Sequence, residues 1–512
     1  VRIAIVGGGA TGTSVLVSLV RHYRGPGRMS VTVFEMDERP GPGRAFAPGS
    51  RAAPLNQPAG GITLRPDEPD HFLHWLARRA GGAAGNPAGH TADPDAFLPR
   101  ETFGRYLESA FRAALSRGPD RGVHAGLVTD QVMSLDRAGG GFGVRTATGT
   151  RHTFDAVFLC TGSSAPTDVY GLSGHAHFTA DPYPLRPMSQ RIPSDASVAV
   201  LGTGLSATDA VLELAARGHQ GPLRMYSRSG LLPDVRNHRT KSRLVLDWPR
   251  AVQETITRYG RLRLRDIYDL VVREMAAHSL PASLLQQEFD RHEHAHDRLA
   301  RHLGAAQRGD AWHALRNEIV TAVLEGEGVW DHVDTVTRRI LRRWHAVLLS
   351  ACAPLPLPSA GTLNSLIDRG QLSVEAGIHD ITPRGDRPGF VIQTRTSRRS
   401  ADHVVNTIRP HTAPTPDRIA AAVTSLLANR LAAADPLGGL RIQPGTNELI
   451  APSGEVTRHL YAFGQLAFGE CYLASSSLHM ITRRVERTVR LLLAGLPASP
   501  PAETRRAPVW SV

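Results

Sequence analysis

The residues with the plainest chemical meaning are glycines. Gly7, Gly9 and Gly12 form a Gly7-x-Gly9-x-x-Gly12 run between an apolar stretch, Val1–Val6, and an apolar-rich segment, Thr13–Val20. This spacing serves to hold a diphosphate. The first glycine makes a tight turn, the second lets the backbone approach a pyrophosphate, and the third lets helix and strand pack closely. The phosphates would sit at the helix N-terminus, where free N–H groups and the macrodipole favour negative charge. Glu35 follows Gly12 by 23 residues, at the end of a second strand-like run, Ser30–Glu35. Its carboxylate can accept hydrogen bonds from a ribose diol and would repel a 2′-phosphate. A second fingerprint, Gly202-Thr-Gly204-Leu-Ser206-Ala207, again reads strand, turn, helix, with alanine in third place. The strand after it ends in Ser227-Arg228 instead of an acid. A hydroxyl and a guanidinium suit a 2′-phosphate.

Further candidates lie in the connections. Arg44, in the Gly/Pro-rich loop Gly41–Ser50, could reach a diphosphate. Asn56 and Gln57 carry amides able to hydrogen-bond the edge of a heterocycle. The buried run Phe154–Cys160 exits through Thr161-Gly162, a small turn that lets the backbone pass a cofactor. The strand His459–Phe463 ends at Gly464, which its topology would place beside the same cofactor, before a helix from Ala474 to Leu493. The run Arg291-His-Glu-His-Ala-His-Asp297 holds three histidines, but on a helix His294 points away from His292 and His296. A solvated charged face is the expectation there, and no metal site.

The elements needed to position these residues read as α/β. Two Rossmann-like dinucleotide-binding domains, of three-layer ββα type, are expected, with a helical insert. The first would take residues 1–190 and be completed by 409–496; the second would take 191–408, with the insert at about 240–350. The stretch Val123–Thr148 reads as a β-meander, and the Pro-rich tail 497–512 as disordered. With 512 residues the chain can bury a large core. Its net charge of +12 comes mostly from scattered arginines, with no basic block of the kind that grips nucleic acid. That charge suits anionic ligands. No apolar run is long enough to span a bilayer. Cys160, Cys352 and Cys471 are far apart and form no CxxC, which points to a reducing compartment. Starting on a core strand, the chain is expected to lack a signal peptide and to be cytoplasmic.

An acid in one unit and an arginine in the other imply two different cofactors: FAD held by the first unit and NADPH by the second, with hydride passing to the flavin. A reduced flavin can serve a disulfide, oxygen or a protein partner. The lack of a CxxC pair argues against the first, and oxygen requires the fewest added parts.

The chain resembles the two-dinucleotide flavoproteins whose relatives include the class B flavin monooxygenases. The resemblance rests on Gly7–Gly12, Gly43–Phe46, Leu55–Gly60, Phe97–Gly104, Leu201–Asp209 and Ser227-Arg228. It implies that Arg100 joins Gly7, Gly9, Gly12 and Glu35 in holding FAD, and that Gly202, Gly204, Ser206 and Arg228 hold NADPH. It further implies an N-oxygenating enzyme acting on a small amino acid with O2 through a flavin hydroperoxide, aspartate to nitrosuccinate being one such reaction. Asn56 and Gln57 would stand beside the reactive edge. The alternatives are an NADPH-dependent flavin reductase and a monooxygenase of carbonyl or sulfur substrates. A homo-oligomer is compatible with the same reading.

Overall fold

A computed structural model describes residues 1–25, 27–80, 93–162, 165–236, 242–290, 293–324, 329–385, 388–409, 420–472, 475 and 477–496. The expected Pro-rich tail, His292 and Ala474 lie outside the described residues. The N-terminal apolar run is β1 (Arg2–Val6), followed by the helix Ala10–His22 and β2 (Met29–Glu35). Helices His71–Ala80 and Arg100–Arg117 lead to β3 (Val123–Thr129). Then come β4 (Val132–Ala138), β5 (Gly141–Thr146), β6 (Arg151–Phe154) and β7 (Ala156–Leu159). The second unit is built from β8 (Phe178–Thr179), β9 (Val198–Leu201), the helix Leu205–Ala216 and β10 (Leu223–Ser227). After a helical stretch from Trp248 to Asp368 it resumes with β11 (Leu372–Ala376), β12 (Ile378–Pro383), β13 (Phe390–Thr394), β14 (Arg398–Ala401) and β15 (His403–Asn406). The last part adds the helix Ala420–Ala428, β16 (Glu448–Ile450), β17 (Val456–Ala462) and the helix Leu478–Ala494.

Two sheets organise the chain, the first mixed through its antiparallel β16–β17 edge and the second parallel throughout. The first has the order β16-β17-β7-β1-β2-β3 and the second β11-β10-β9-β15-β8; β4-β5-β6 and β12-β13-β14 form separate antiparallel sheets. The central strands are parallel, Ile3 pairing with Val31 on one side and Ala156 on the other. Strands covered on both faces must be apolar throughout, and β7 and β9 are buried at every position. One face of the first sheet packs Ile3, Ile5 and Val33 against Leu16, Leu19, Phe111 and Val485 of three helices. The other packs Ala4, Val6 and Val157 against Leu135, Phe142 and Val144 of the small antiparallel sheet and Val423 and Leu426 of a returning helix. The second unit repeats the plan, with helices on one face and Ile381, Phe390 and Ile392 on the other. This is the three-layer α/β architecture expected from the sequence.

Two expectations need correction. β3 does not belong to a meander: it pairs in parallel with β2 as the edge of the main sheet, from Met29↔Val123 to Glu35↔Thr129, and only β4–β6 are antiparallel. Its isolated run looked like the hairpin strands beside it because local pattern does not show the partner of an edge strand. Similarly, β8 already pairs with β15, so the chain crosses to the second sheet before Phe178 and not at residue 190. The final helix begins at Leu478. Among the described residues, no helix is long and apolar enough to cross a membrane.

The helical insert has its own apolar centre, where Trp248, Leu270, Met275, Trp312, Leu315 and Ile319 meet. It is joined to the loop after β10 by a buried ionic network. Asp234 lies 3.0 Å from His302 Nδ1 and 3.0 Å from Arg316 Nη2. Glu288 pairs with His302 at 3.1 Å, with Arg301 at 3.0 Å and with Arg316. Arg298 donates to the Glu288 carbonyl at 3.0 Å. Asp234, Glu288 and His302 are close enough together to hold a metal. The guanidiniums of Arg298, Arg301 and Arg316 already supply the positive charge there, so an ion pair network is the better description. Burial would push both carboxyls up, but for Asp234 the Arg316 and His302 charges, and for Glu288 the His302 hydrogen bond and Arg316, hold them well below the usual carboxylate range. Carboxyls depressed in the folded state stabilise it fully above their unfolded values, about pH 4, and lose that contribution as pH falls further. Asp234→Asn is therefore expected to cost about 3–5 kcal/mol in urea denaturation at pH 7, with the gap to wild type narrowing below about pH 4.

Candidate functional site

The carboxyl ends of the parallel strands meet in one cleft of about 1620 Å³ that is lined by both units. Pockets for one small molecule run to about 300–1,000 Å³, so this cleft has room for more than one. β1 runs into Gly7, whose φ is +101° and where an added Cβ would lie 2.4 Å from the Cys160 carbonyl oxygen. Gly12, inside the first helix, has no room either: its Cβ would fall 1.9 Å from Gly7 O. Gly9 is the helix N-cap and no side chain caps it, which leaves the first N–H groups of that helix for a ligand. An added Cβ at Gly9 would come 3.3 Å from Gly43 Cα, and the Gly41 amide donates to Gly8 O at 2.7 Å. The Gly41–Ser50 loop thus lies directly over the turn.

The second turn has the same construction. Gly202 has φ +117°, with an added Cβ 2.4 Å from Thr407 Oγ1, and Gly204 is the uncapped N-cap of the helix Leu205–Ala216. Nothing lies within 4 Å of a Cβ built on Gly204, so that side of the turn is open. Gly7, Gly9, Glu35, Thr161, Gly162, Gly202, Gly204, Ser206, Ser227, Arg228 and Gly464 all line the cleft; Gly12 lies behind it, in the packing position its type suggests. The Thr161 hydroxyl is buried with no hydrogen-bond partner.

Side-chain partners refine several expectations. Glu35 Oε2 accepts from the Gly8 amide at 2.7 Å and Oε1 from Met36 at 2.8 Å. The carboxylate is thereby fixed at the end of β2 with acceptor capacity left over. Ser227 Oγ accepts from the Gly230 amide at 2.8 Å and from Thr203 at 3.1 Å, so it also shapes the turn that presents Arg228. Arg228 itself is exposed in the cleft. Arg44 has a protein partner that its sequence context does not show. It lines the cleft, and its guanidinium also pairs with Asp181 at 2.5 and 3.1 Å and lies over the Tyr183 ring, so an acid of the protein already matches its charge. The acid is 137 residues away in sequence, which hid the pairing.

Arg100 also acts through protein partners. It donates to the Pro54 carbonyl at 3.1 Å, to Asn56 Oδ1 at 3.4 Å and to Asp209, 3.0 Å away in the second unit. Tyr183 donates to the same Asp209 carboxylate. Burial opposes charge on both members of the pair and pushes the Asp209 carboxyl up; for Arg100 burial is the largest single influence, but Asp209 and Tyr183 together outweigh it and hold the guanidinium above its ordinary value. Burial and Asp209 together push the Tyr183 phenol up to about 12. Asn56 is held a second time, its carbonyl accepting from Arg236 at 2.8 Å. Gln57 lines the cleft beside it. The sequence reading missed Arg236, Arg409 and the Arg342–His345 corner, all on the cleft wall. One local signal existed for Asp209, an acid that shares the buried face of a mostly apolar helix with Glu213.

Residues 4–164 match the family model described as FAD-NAD(P)-binding. The observed cradle fits such a group: two glycine turns whose first residues, Gly7 and Gly202, admit no Cβ, uncapped helix N-termini, and an unpartnered Thr161 hydroxyl. A search of curated proteins finds no match. Solved structures similar in fold include L-lysine 6-monooxygenase from Pseudomonas syringae, 16% identical, with 97% of this chain and 99% of that one covered at a TM-score of 0.55. Ornithine hydroxylase from Pseudomonas aeruginosa is 13% identical over 96% and 98%, with a TM-score of 0.54. An ornithine N-hydroxylase from Kutzneria sp. 744 is 14% identical over 96% and 98%, with a TM-score of 0.50. At these identities the likeness establishes the fold.

The two turns can be separated experimentally. Gly7→Ala is expected to purify with little flavin, whereas Gly202→Ala keeps its flavin and binds nicotinamide nucleotide at least about tenfold more weakly, because each clash is confined to one turn. Absorbance at 450 nm and a nucleotide titration read the two effects.

Proposed function

We propose that the chain is an FAD- and NADPH-dependent monooxygenase that N-oxygenates the amino group of a small amino acid, with aspartate to nitrosuccinate as the candidate reaction. The observation that carries this reading is the single cleft joining both glycine turns, one with Glu35 and the other with Ser227 and Arg228. The comparisons support an FAD-NAD(P)-binding unit and a fold also used by enzymes named for lysine and ornithine hydroxylation. The flavin, when bound, supplies the electron transfer from NADPH and the activation of O2. One turnover would convert an amine, O2, NADPH and a proton into a hydroxylamine, water and NADP+.

The chain's own residues have distinct parts in this scheme. The uncapped helix ends at Gly9 and Gly204 would receive the two pyrophosphates. Glu35 would accept from a ribose diol, while Arg228 would meet a 2′-phosphate. The side-chain amide of Asn56, oriented by Arg100 while Arg236 holds the Asn56 backbone carbonyl, would hold its donor at the reacting edge. The substrate amine must be neutral to react, and a site that excludes water lowers an amine's pKa.

The decisive experiment follows NADPH oxidation by the yellow holoprotein with a panel of amino acids, assaying hydroxylamine, or nitrite after adding a lyase. Substrate-dependent oxidation with N-oxygenated product is expected; equal oxidation without substrate, yielding only hydrogen peroxide, would show a flavin reductase. Arg228→Ala should raise the KM for NADPH about 10- to 100-fold and leave that for NADH unchanged, since it removes a charge-assisted contact to the 2′-phosphate alone. Asn56→Ala should keep NADPH oxidation but divert it to peroxide.

A further inference from the structure

One part of the cleft wall belongs to neither glycine turn. It consists of Arg342, Arg343 and His345, where the helices Thr335–Arg343 and His345–Cys352 join, together with Phe468 and Tyr472 from the returning segment. The Arg342 guanidinium lies 6.0 Å from the ring centroids of both Phe468 and Tyr472, and donates from Nη2 to the Leu437 carbonyl at 2.5 Å. One edge of its fork is thus anchored, while the aromatic rings restrict its swing. Tyr472 Oη is 2.7 Å from His345 Nδ1, and the Trp330 ring meets Tyr472 edge-on. Tyr472 is also a non-glycine residue at φ +46°, a costly conformation that the surroundings must enforce.

The charge pattern is equally one-sided. Among the described residues, the acids lining the cleft are Glu35, Asp37 and Asp130, all from the first unit. Of the acids close to this corner, Glu470 pairs with Arg338 at 3.1 Å, and Asp435 accepts from the Leu437 amide at 2.7 Å while adding some attraction on Arg342 without lining the cleft. Burial holds the Arg342 guanidinium below its ordinary value, only partly offset by Tyr472 and Asp435. A guanidinium placed in this way gains most from a carboxylate, whose two oxygens match its fork.

We propose that the Arg342 corner is an anion subsite that takes a carboxylate of the substrate, with Arg342 as its anchor, Arg343 adding positive potential and His345 offering a ring nitrogen beside it. It rests on the monooxygenase reading for one point, that the carboxylate belongs to the molecule being oxidised. The wall selects acidic amino acids over basic ones, because a second ammonium group would face arginines with no acid to receive it. The dinucleotide phosphates have their own places at the glycine turns, so this subsite is separate from them.

The test titrates the FAD- and NADP+-loaded protein with succinate and with its neutral isostere succinamide, read by calorimetry. Wild type should bind succinate at least about tenfold more tightly than succinamide. Arg342→Gln should lose about 10- to 100-fold in succinate affinity with flavin content and NADP+ affinity unchanged; Arg342→Lys should lose less. If the glutamine variant does not retain flavin, the lysine variant reads the same contrast. No succinate binding to wild type, equal binding to the variants, or a parallel fall in NADP+ affinity would overturn the proposal. Succinate binding through Arg342 without any amino-acid-stimulated NADPH oxidation would sink the monooxygenase reading and leave the subsite standing. Aspartate-stimulated oxidation indifferent to Arg342→Gln would do the reverse.

Discussion

The buried contact between Arg100 and Asp209 is the constraint on which the cleft depends. Arg100 opens a helix of the first unit, and Asp209 lies in the helix that follows the second glycine turn. The same guanidinium reaches Pro54 O and Asn56 Oδ1, so one side chain fixes the amide loop and the second unit's helix relative to each other. A buried ion pair adds little net stability compared with an apolar replacement, because desolvation offsets most of the attraction. Its worth here is directional. Five donors in a rigid fork cannot be satisfied by these acceptors unless loop and helix keep their places.

Two polar contacts beside it act in the same sense. Arg44 of the loop over the first turn pairs with Asp181, and Ser50 of that loop donates to Glu213 in the second unit's helix. The joint between the units is therefore polar and charge-matched near the cofactor turns, not a greasy seam. Such a joint sets distance and orientation while staying compatible with small motions, since interfaces of this kind resemble transient ones. For a hydride to pass between two bound dinucleotides, orientation is the quantity that matters most.

What the sequence made legible was local. Gly7, Gly9 and Gly12 could be read because a tight turn and a close helix–strand approach need those residues within six positions, and the structure leaves no room for a Cβ at Gly7 or Gly12. The alternation of strands and helices led to the layered architecture for the same reason. What could not be read was every choice that depends on a distant partner. Arg44 could be read as a candidate for a diphosphate because arginine in a glycine-rich loop is chemically suited to one, and Arg100 as an FAD-holding residue through resemblance alone; neither reading contains the protein partner. Their acids, Asp181 and Asp209, are more than a hundred residues away. β3 was misjudged as part of a meander because nothing within its seven residues names β2 as its neighbour.

The helical insert is the least legible part, yet its placement is the most tightly specified. On one side Asp234, Glu288, His302 and Arg316 lock three of its helices to the loop after β10. The Val235–Leu355 bridge and the Arg236 amide hydrogen bond to Leu355 O at 2.8 Å fasten its far end to the same loop. On the other side Tyr472 and Phe468, from the segment that completes the first unit, pack into a cluster with Leu262, Trp330 and Val333. The insert is thus held by both units at once, and Arg236, two residues from Asp234, carries that placement to the Asn56 carbonyl. A domain attached to only one unit could move without altering the cleft. Attached to both, it turns the position of the Arg342 wall into a consequence of how the two dinucleotide units are docked.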